Sequence, residues 1–167
     1  MAIPKEKYLK EVKYANYTYI SKQEMKEYLE KINKRFEISY DFYKDYVFVR
    51  SSDKIWIMSK DVLKHDLRKL RIEGIGFVFG RIIKGDIKLT TNAVQLFGKY
   101  ANKNVFELTN EEEELFIRGL DLNKFLDTTD GYVILKNNHD YLGLGKYISS
   151  QHLIKNLVPK ARRIKRL

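Results

Sequence analysis

The chain has 167 residues, of which 44% are hydrophobic and 32% charged, a composition typical of a folded protein rather than a disordered one. It contains no cysteine, which excludes disulfides, thiolate zinc sites and cysteine nucleophiles, and its net charge of +10 favours a polyanionic partner. No apolar run approaches the ~18 residues that cross a bilayer, and residues 1–14 have no apolar stretch, so we expect a cytoplasmic protein without a membrane partner.

The first predicted helix follows a possible strand at "YTYI". Ser21 and Glu24 have the spacing of a capping box, which marks a helix start. Apolar residues then recur at helical spacing and predict one buried face of about four turns. These residues are Met25, Tyr28, Leu29, Ile32 and Phe36.

From Ile38 the apolar period changes to two, which indicates strands. "ISYDFY" and "YVFVR" predict a hairpin, "IWIM" a further strand, and Ser59 caps a helix over "KDVLKHDLRKL". "GIGFVFGRII" and "DIKLT" predict two strands joined by a turn at residues 84–86, and Thr91 begins a short helix. We therefore expect residues 1–100 to form an α/β domain with a mostly antiparallel sheet.

Residues 101–167 have a different pattern, with short strands separated by turns every eight to twelve residues. "NVFEL", "YVILK" and "YLGLGKYI" predict strands, and "TNEEEELFI" predicts a short capped helix. This pattern favours a small β-barrel as a second domain. The whole chain is therefore expected to be of the α+β class.

The glycine pair Gly143 and Gly145 raises the question of a nucleotide-binding loop. The pair lacks the third glycine of a dinucleotide fingerprint, because Ile148 occupies that position, and no helix pattern follows directly. Glycine within a strand marks a close approach to the backbone, here by a neighbouring strand or by RNA. Tyr141 and Tyr147 flank the glycines and are expected either to stack on a base or to pack in the barrel.

No set of residues in the sequence predicts catalysis. His65, His139 and His152 are scattered without metal-ligand spacing, and no Walker motif, nucleophile elbow or zinc-protease motif occurs. We therefore expect no catalytic residue, no metal and no cofactor. A free-standing nuclease remains a third hypothesis without residues to carry it.

The end of the chain carries the strongest functional signal. From Tyr141 to Leu167 there is no Asp or Glu beside seven Lys and Arg residues, which leaves about +3 for the first 140 residues. Such a segment can bind phosphates, and Asn156 can add directional hydrogen bonds to bases or ribose. The alternative is a solvated, frayed tail. The seven cations are Lys146, Lys155, Lys160, Arg162, Arg163, Lys165 and Arg166.

Two resemblances carry these expectations further. "IEGIGFVFGRIIKGDIKLTTNAVQLFGKYANKNVFEL", "EEELFIRGLDL" and "GYVILKNNHDYLGLG" resemble the Nip-type ribosome-biogenesis proteins over roughly residues 22–146. In that family an α/β pre-PUA domain precedes a PUA domain, which is an RNA-binding pseudo-barrel. The resemblance implies a pre-PUA domain at 1–100 and a PUA-like domain at 101–167.

The last segment is closer to another family. "LGLGKY…LIKNLVPKARR" resembles the PUA-like domain that ends the Nop/Sun-type ribosomal-RNA cytosine methyltransferases. Neither their S-adenosylmethionine loop nor their essential cysteines occur in this sequence, as in the small archaeal proteins of this group. The matching positions are Gly143, Gly145, Lys146, Lys155, Asn156, Pro159 and Arg163.

The sequence therefore predicts a non-enzymatic RNA-binding protein of ribosome biogenesis, acting in ribosomal-RNA binding, pre-rRNA processing or large-subunit assembly. A ribosome-assembly or RNA-modification protein is the expected protein partner. The alternative is an RNA-targeting subunit that acts in trans with a separate rRNA or tRNA methyltransferase. The predicted RNA-binding residues are Gly143, Gly145, Lys146, Tyr147, Lys155, Asn156, Lys160, Arg162, Arg163, Lys165 and Arg166.

Overall fold

The computed structural model describes residues 17–38, 40–64 and 74–165. These residues divide into two compact units, one within residues 17–88 except 34–38, and one within 34–38 and 89–165. The predicted domains at 1–100 and 101–167 stay a prediction. The short helix that begins at Thr91 packs against a strand of the second unit and belongs to that unit.

The first unit contains a five-stranded sheet in the order β1-β2-β3-β4-β5. Its strands are β1 (Thr18–Tyr19), β2 (Tyr46–Ser51), β3 (Lys54–Ser59), β4 (Phe77–Ile83) and β5 (Asp86–Leu89). β1, β2, β3 and β4 pair antiparallel, in agreement with the predicted sheet. The predicted turn between β4 and β5 is confirmed, with positive φ at both Lys84 (52°) and Gly85 (76°), as the tight turns of hairpins require.

Helix α1 (Lys22–Phe36) begins where the sequence predicts. The Ser21 hydroxyl accepts a hydrogen bond from the Glu24 backbone N–H, which confirms the helix cap. The Glu24 carboxylate pairs with Arg50. The predicted apolar face is largely buried, since Met25, Leu29, Ile32 and Phe36 are all buried and Tyr28 is half-buried.

Two local predictions in the first unit need comment. "ISYDFY" was predicted as a strand, but residues Tyr40–Asp45 form a 3₁₀ helix, and the hairpin partner of β2 is β3 instead. Tyr43 is nevertheless buried against Phe48 and Phe79, so its apolar side chain serves the core without strand geometry. The helix predicted after Ser59 is seen as a 3₁₀ helix at Lys60–Lys64, and its remainder lies outside the described residues.

The second unit is a curled five-stranded sheet in the order β6-β8-β9-β10-β7. Its strands are β6 (Val105–Glu107), β7 (Leu122–Asn123), β8 (Gly131–Asn137), β9 (Asp140–Ile148) and β10 (Leu153–Asn156). β6 runs parallel to β8, and the other pairs are antiparallel. Helix α2 (Thr91–Phe97) packs against β9.

Helix α3 (Asn110–Ile117) contributes Phe116 to the core inside this curled sheet. It starts with the predicted cap, a full capping box between Thr109 and Glu112. The core residues are Leu108, Phe116, Leu122, Leu126, Val133, Leu135, Tyr147, Ile154 and Val158. The α+β class and the β pseudo-barrel expected at the end of the chain are both confirmed. In the part of the chain that the structure describes, no helix is long and apolar enough to span a bilayer.

Candidate nucleic-acid interface

Lys146 and Lys155 lie directly opposite each other on neighbouring strands β9 and β10. Tyr132 of β8 is paired with Lys146 on its other side. Paired residues of adjacent strands point to the same face of a sheet, so the three side chains form one row. Their neighbours Tyr147 and Ile154 point into the core. Both lysines are exposed, so the row presents two adjacent positive charges on the outer face of the sheet.

The cations of this surface have no acidic partners among residues 17–38, 40–64 and 74–165. None of the salt bridges in these ranges includes Lys146, Lys155 or the cations of the tail. The acidic residues near α3 are instead paired elsewhere, Glu112 with Lys124 and Glu107 with Lys136. The positive charge on the outer face of β9 and β10 is therefore available to an external anion.

Asp130 lies close enough to Lys146 for the lysine charge to lower its pKa. Hydrogen bonds from the Ser149 hydroxyl and backbone N–H lower the pKa of Asp130, and the nearby charges of Lys146 and Arg35 lower it further. The Asp130 carboxylate thus accepts hydrogen bonds from Ser149 and forms no direct ion pair with Lys146.

The basic tail is attached to the barrel along its described length. Val158 is 5% exposed and belongs to the core. Pro159 then starts a 3₁₀ turn over Lys160–Arg162, closed by a hydrogen bond from the Arg162 N–H to the Pro159 carbonyl. The Ile164 N–H donates to the carbonyl of Ile117 at the end of α3. This backbone anchoring contradicts the alternative of a frayed tail for residues 157–164.

Arg163 takes part in this attachment, and its contact with RNA stays a prediction. Its Nε donates to the Val158 carbonyl at 3.0 Å, and its side chain lies against Gly119. Gly119 has φ +92° and ends α3 with bonds from its own N–H to Phe116 and from Leu120 to Leu115, the pattern of a Schellman motif. A Cβ added at Gly119 would lie 2.3 Å from Arg163 Cδ, so only glycine leaves room for this side chain.

Asn156 is also structural. Its side-chain Nδ2 donates to the carbonyls of Phe116 and Leu120, and its Oδ1 accepts from the Val158 N–H. The side chain therefore joins β10 to the end of α3, and its donors and acceptor are used inside the protein. The hypothesis that Asn156 reads a base or ribose stays a prediction.

The glycine pair and Tyr147 face the barrel interior. A Cβ at Gly145 would lie 2.6 Å from Ile154 Cγ2, so the close approach at this glycine is to a neighbouring strand. Gly143 is buried, and an added Cβ would contact Val158 and Phe116. Tyr147 is 0% exposed, and its hydroxyl accepts a hydrogen bond from the Leu126 N–H. Of the two alternatives for Gly145 and Tyr147, the structure shows the packing inside the barrel, and contact of the three residues with RNA stays a prediction.

The remaining predicted residues are open to solvent. Lys160, Arg162 and Lys165 are exposed, while Arg166 lies outside the described residues. Tyr141, which the sequence left open between stacking and packing, is half-buried beside Gly98, where an added Cβ would lie 2.5 Å from the tyrosine ring. The surface built from Lys146, Lys155, Lys160, Arg162 and Lys165 is called the basic surface below.

Sequence reasoning missed Tyr132. The strand "YVILK" was predicted, but its register against β9 was not, and only the register puts Tyr132 beside Lys146. The backbone at this position is also fixed, because Arg35 Nε donates to the Tyr132 carbonyl at 2.7 Å. Within the described ranges, no group of three His, Asp or Glu side chains is placed to hold a metal ion.

A known protein family matches this part of the chain. Residues 103–164 match the family model of the methyltransferase RsmF PUA domain. Ribosomal RNA small subunit methyltransferase F of Aeromonas salmonicida (strain A449) is 27% identical over 109 residues, which cover 65% of this chain and 22% of that protein. The second unit therefore contains a PUA-like domain similar to that of the Sun-type methyltransferases. The resemblance to Nip-type proteins stays a prediction.

Proposed function

We propose that this protein is a non-enzymatic RNA-binding protein of ribosome biogenesis that holds structured ribosomal RNA on the basic surface of its PUA-like domain. The observation that carries the proposal is that the five cations of this surface lack acidic partners in the described part of the chain while the tail backbone is anchored. The match to an RsmF PUA domain and the name of the A. salmonicida relative support ribosomal RNA as the ligand.

The surface suits a ribose-phosphate backbone because its charges sit on fixed backbone. Lys146 and Lys155 project from paired strands, and Lys160 and Arg162 project from a hydrogen-bonded turn. Each phosphate that a cation neutralises releases condensed counterions, which supplies affinity without reading sequence. Fixed backbone positions reduce the entropy lost when the complex forms.

The test is a titration of labelled small-subunit and large-subunit ribosomal-RNA fragments at several salt concentrations. If all five cations contact phosphates, the plot of log affinity against log salt has a slope of about −3.5 to −4.5. A variant with Lys146, Lys155, Lys160 and Arg162 changed to Gln should lose most of that slope. A matched variant at Lys60, an exposed lysine of the first unit, should keep it. A wild-type protein whose RNA binding does not depend on salt would contradict the proposal.

A second candidate is an RNA-targeting subunit that acts in trans with a separate methyltransferase. The similarity to a domain of a ribosomal RNA methyltransferase favours it. The test is affinity purification from the host followed by methyl transfer to the bound RNA. A co-purifying methyltransferase that gains activity when this protein is added supports this candidate. Methyltransferase activity that is indifferent to the protein contradicts it.

A further inference from the structure

Phe125 is the most exposed large apolar side chain in the described part of the chain, at 69%. It lies in the loop between β7 and β8, near the strand that carries Lys155. Exposing a phenylalanine ring to water forfeits most of the free energy that its burial would provide. A ring left in solvent within a well-packed barrel therefore calls for an explanation.

The backbone on both sides of Phe125 is fixed. The Lys124 N–H donates to the His152 carbonyl at 2.8 Å, and the Leu126 N–H donates to the Tyr147 hydroxyl at 3.1 Å. The Leu126 side chain is buried in the core. The exposed ring is thus held between two anchored residues, so a ligand would not have to order the loop before contacting it.

A second ring supports the first. The centroids of Phe125 and His152 are 5.3 Å apart with an interplanar angle of 66°, an edge-to-face arrangement. His152 has φ +48°, which turns the chain into β10 directly before Leu153. Its Nδ1 lies 3.5 Å from the Tyr147 hydroxyl. In an edge-to-face pair the edge of one ring covers one face of the other, so each ring keeps at least one face that its partner leaves open for stacking.

We propose that Phe125 and His152 form a stacking site for an unpaired nucleobase of the RNA whose phosphates lie on the basic surface. This inference rests on the proposed function and adds that the RNA is single-stranded, or has a bulged or loop nucleotide, at this point. Lys155 is three residues from His152, roughly 10 Å along the chain at about 3.3 Å per strand residue. A Lys155 side chain and the ring pair can therefore contact one short segment of the same strand.

A base fits this site better than the apolar face of a protein partner. The other exposed large apolar side chains of this unit lie outside the loop between β7 and β8. They are Leu96 in α2, Tyr100 after it, Leu115 in α3, Leu120 after it and Ile164 in the tail. Phe125 is the single apolar residue exposed in its loop, whereas protein docking sites are contiguous apolar patches. A flat base needs only one open ring and brings its own phosphates to the neighbouring lysines.

The test compares a hairpin RNA with an unpaired loop and a blunt duplex of the same length. Phe125→Ala should weaken binding of the hairpin about tenfold, because losing one aromatic stack on a base has an effect of this order. Duplex binding and the salt slope should stay unchanged, since no charge is lost. Phe125→Trp should retain hairpin affinity, and Leu120→Ala, a comparable truncation of an exposed apolar side chain, should leave it unchanged. With 5-iodouridine in the loop, irradiation should crosslink the RNA to Phe125.

Several outcomes would overturn the stacking site while leaving the proposed function intact. One is hairpin binding by Phe125→Ala at wild-type affinity while Lys146→Gln and Lys155→Gln weaken it. Another is an equal loss for hairpin and duplex, which would mean that the ring does not select unpaired bases. A third is the loss of a co-purifying protein from Phe125→Ala with RNA affinity unchanged. A wild-type protein that binds neither RNA would overturn both proposals.

Discussion

The pairing of Lys146 with Lys155 predicts that the basic surface lowers the stability of the folded protein. The two lysines are direct cross-strand neighbours, and no acidic partner of either is present in the described residues. Like charges placed directly opposite each other destabilise a sheet. Changing Lys155 to Gln should therefore stabilise the folded protein, and changing it to Glu should stabilise it more, because an opposite-charge pair replaces a repulsive one.

The size of the effect follows from the pair geometry. The Cβ atoms of directly paired residues lie about 5 Å apart. Two charges held at that spacing in water repel by roughly 0.8 kcal/mol as an upper limit, and physiological salt reduces this to about 0.4 kcal/mol. Lys155→Gln should thus raise the free energy of unfolding by about 0.4 kcal/mol and the melting temperature by about 1–2 °C. Lys155→Glu adds an attraction of similar size, for a total of about 0.8 kcal/mol. Both changes should weaken RNA binding, by roughly one unit of salt slope for the Gln variant.

The assay measures urea unfolding and RNA affinity on the same protein samples, at low and physiological salt. Stability gained at Lys155 should shrink as salt rises, because the repulsion is screened. Lys60→Gln, which removes an equally exposed lysine outside the row, should change neither quantity by a comparable amount. A Lys155→Glu protein that is less stable than the wild type would refute the reasoning, because it would show that the lysine is satisfied by a partner on the sheet.

Three further predictions concern the anchoring of the barrel. Gly119→Ala should lower the free energy of unfolding by roughly 2–3 kcal/mol in urea, because alanine is strained at this φ and its Cβ displaces Arg163. Gly85→Ala, with φ +76° but open space around it, should show the backbone strain alone. Equal losses at the two sites would contradict the role of Arg163. Tyr147→Phe should lower the free energy of unfolding by about 1–3 kcal/mol, because the Leu126 N–H loses its acceptor, yet it should change RNA affinity less than twofold. A large loss of affinity would show that Tyr147 belongs to the RNA interface. Acid should destabilise the fold, because hydrogen bonds lower the pKa of Glu107 (from Lys136 and Asn138) and of Asp130 below their ordinary values of 4.5 and 3.8. The stabilisation by each carboxylate is complete above its ordinary pKa and is lost as pH falls through its lowered pKa. Asp130→Asn should therefore flatten that part of a profile of unfolding free energy between pH 6 and 2.

The elements that sequence could predict are those specified by local signals. Ser21 and Thr109 are capping residues whose hydroxyls act within three residues, and both helix starts were located correctly. The Lys84–Gly85 turn is likewise local. Residues 40–43 were mispredicted because their part of an alternating apolar pattern fits a strand, whereas they form a 3₁₀ helix from which Tyr43 is buried. Tertiary packing therefore overrides the local pattern here.

The candidate site was predictable in charge but not residue by residue. Lys146, Lys155, Lys160, Arg162 and Lys165 are exposed as expected, and none of them forms an ion pair in the described part of the chain. Gly145, Tyr147 and Asn156 were assigned to RNA because they stand next to those cations in sequence. Residues that are adjacent in a strand lie on opposite faces of the sheet, so the neighbours of an exposed cation point toward the core.

This alternation explains the whole C-terminal pattern "LGLGKYISSQHLIKNLVPKARR". Lys146 stands between Gly145 and Tyr147, and Lys155 between Ile154 and Asn156, so each exposed cation is flanked by residues that close the barrel. The strand ends at Asn156, and after Pro159 an exposed Arg162 is followed by an Arg163 that fastens the turn to the end of α3. Substitutions at the flanking residues should therefore act on stability first, and those at the cations on RNA affinity first. The spacing of the cations is maintained only if both the cations and the residues that flank them are kept, because the flanking residues hold the backbone that carries the cations.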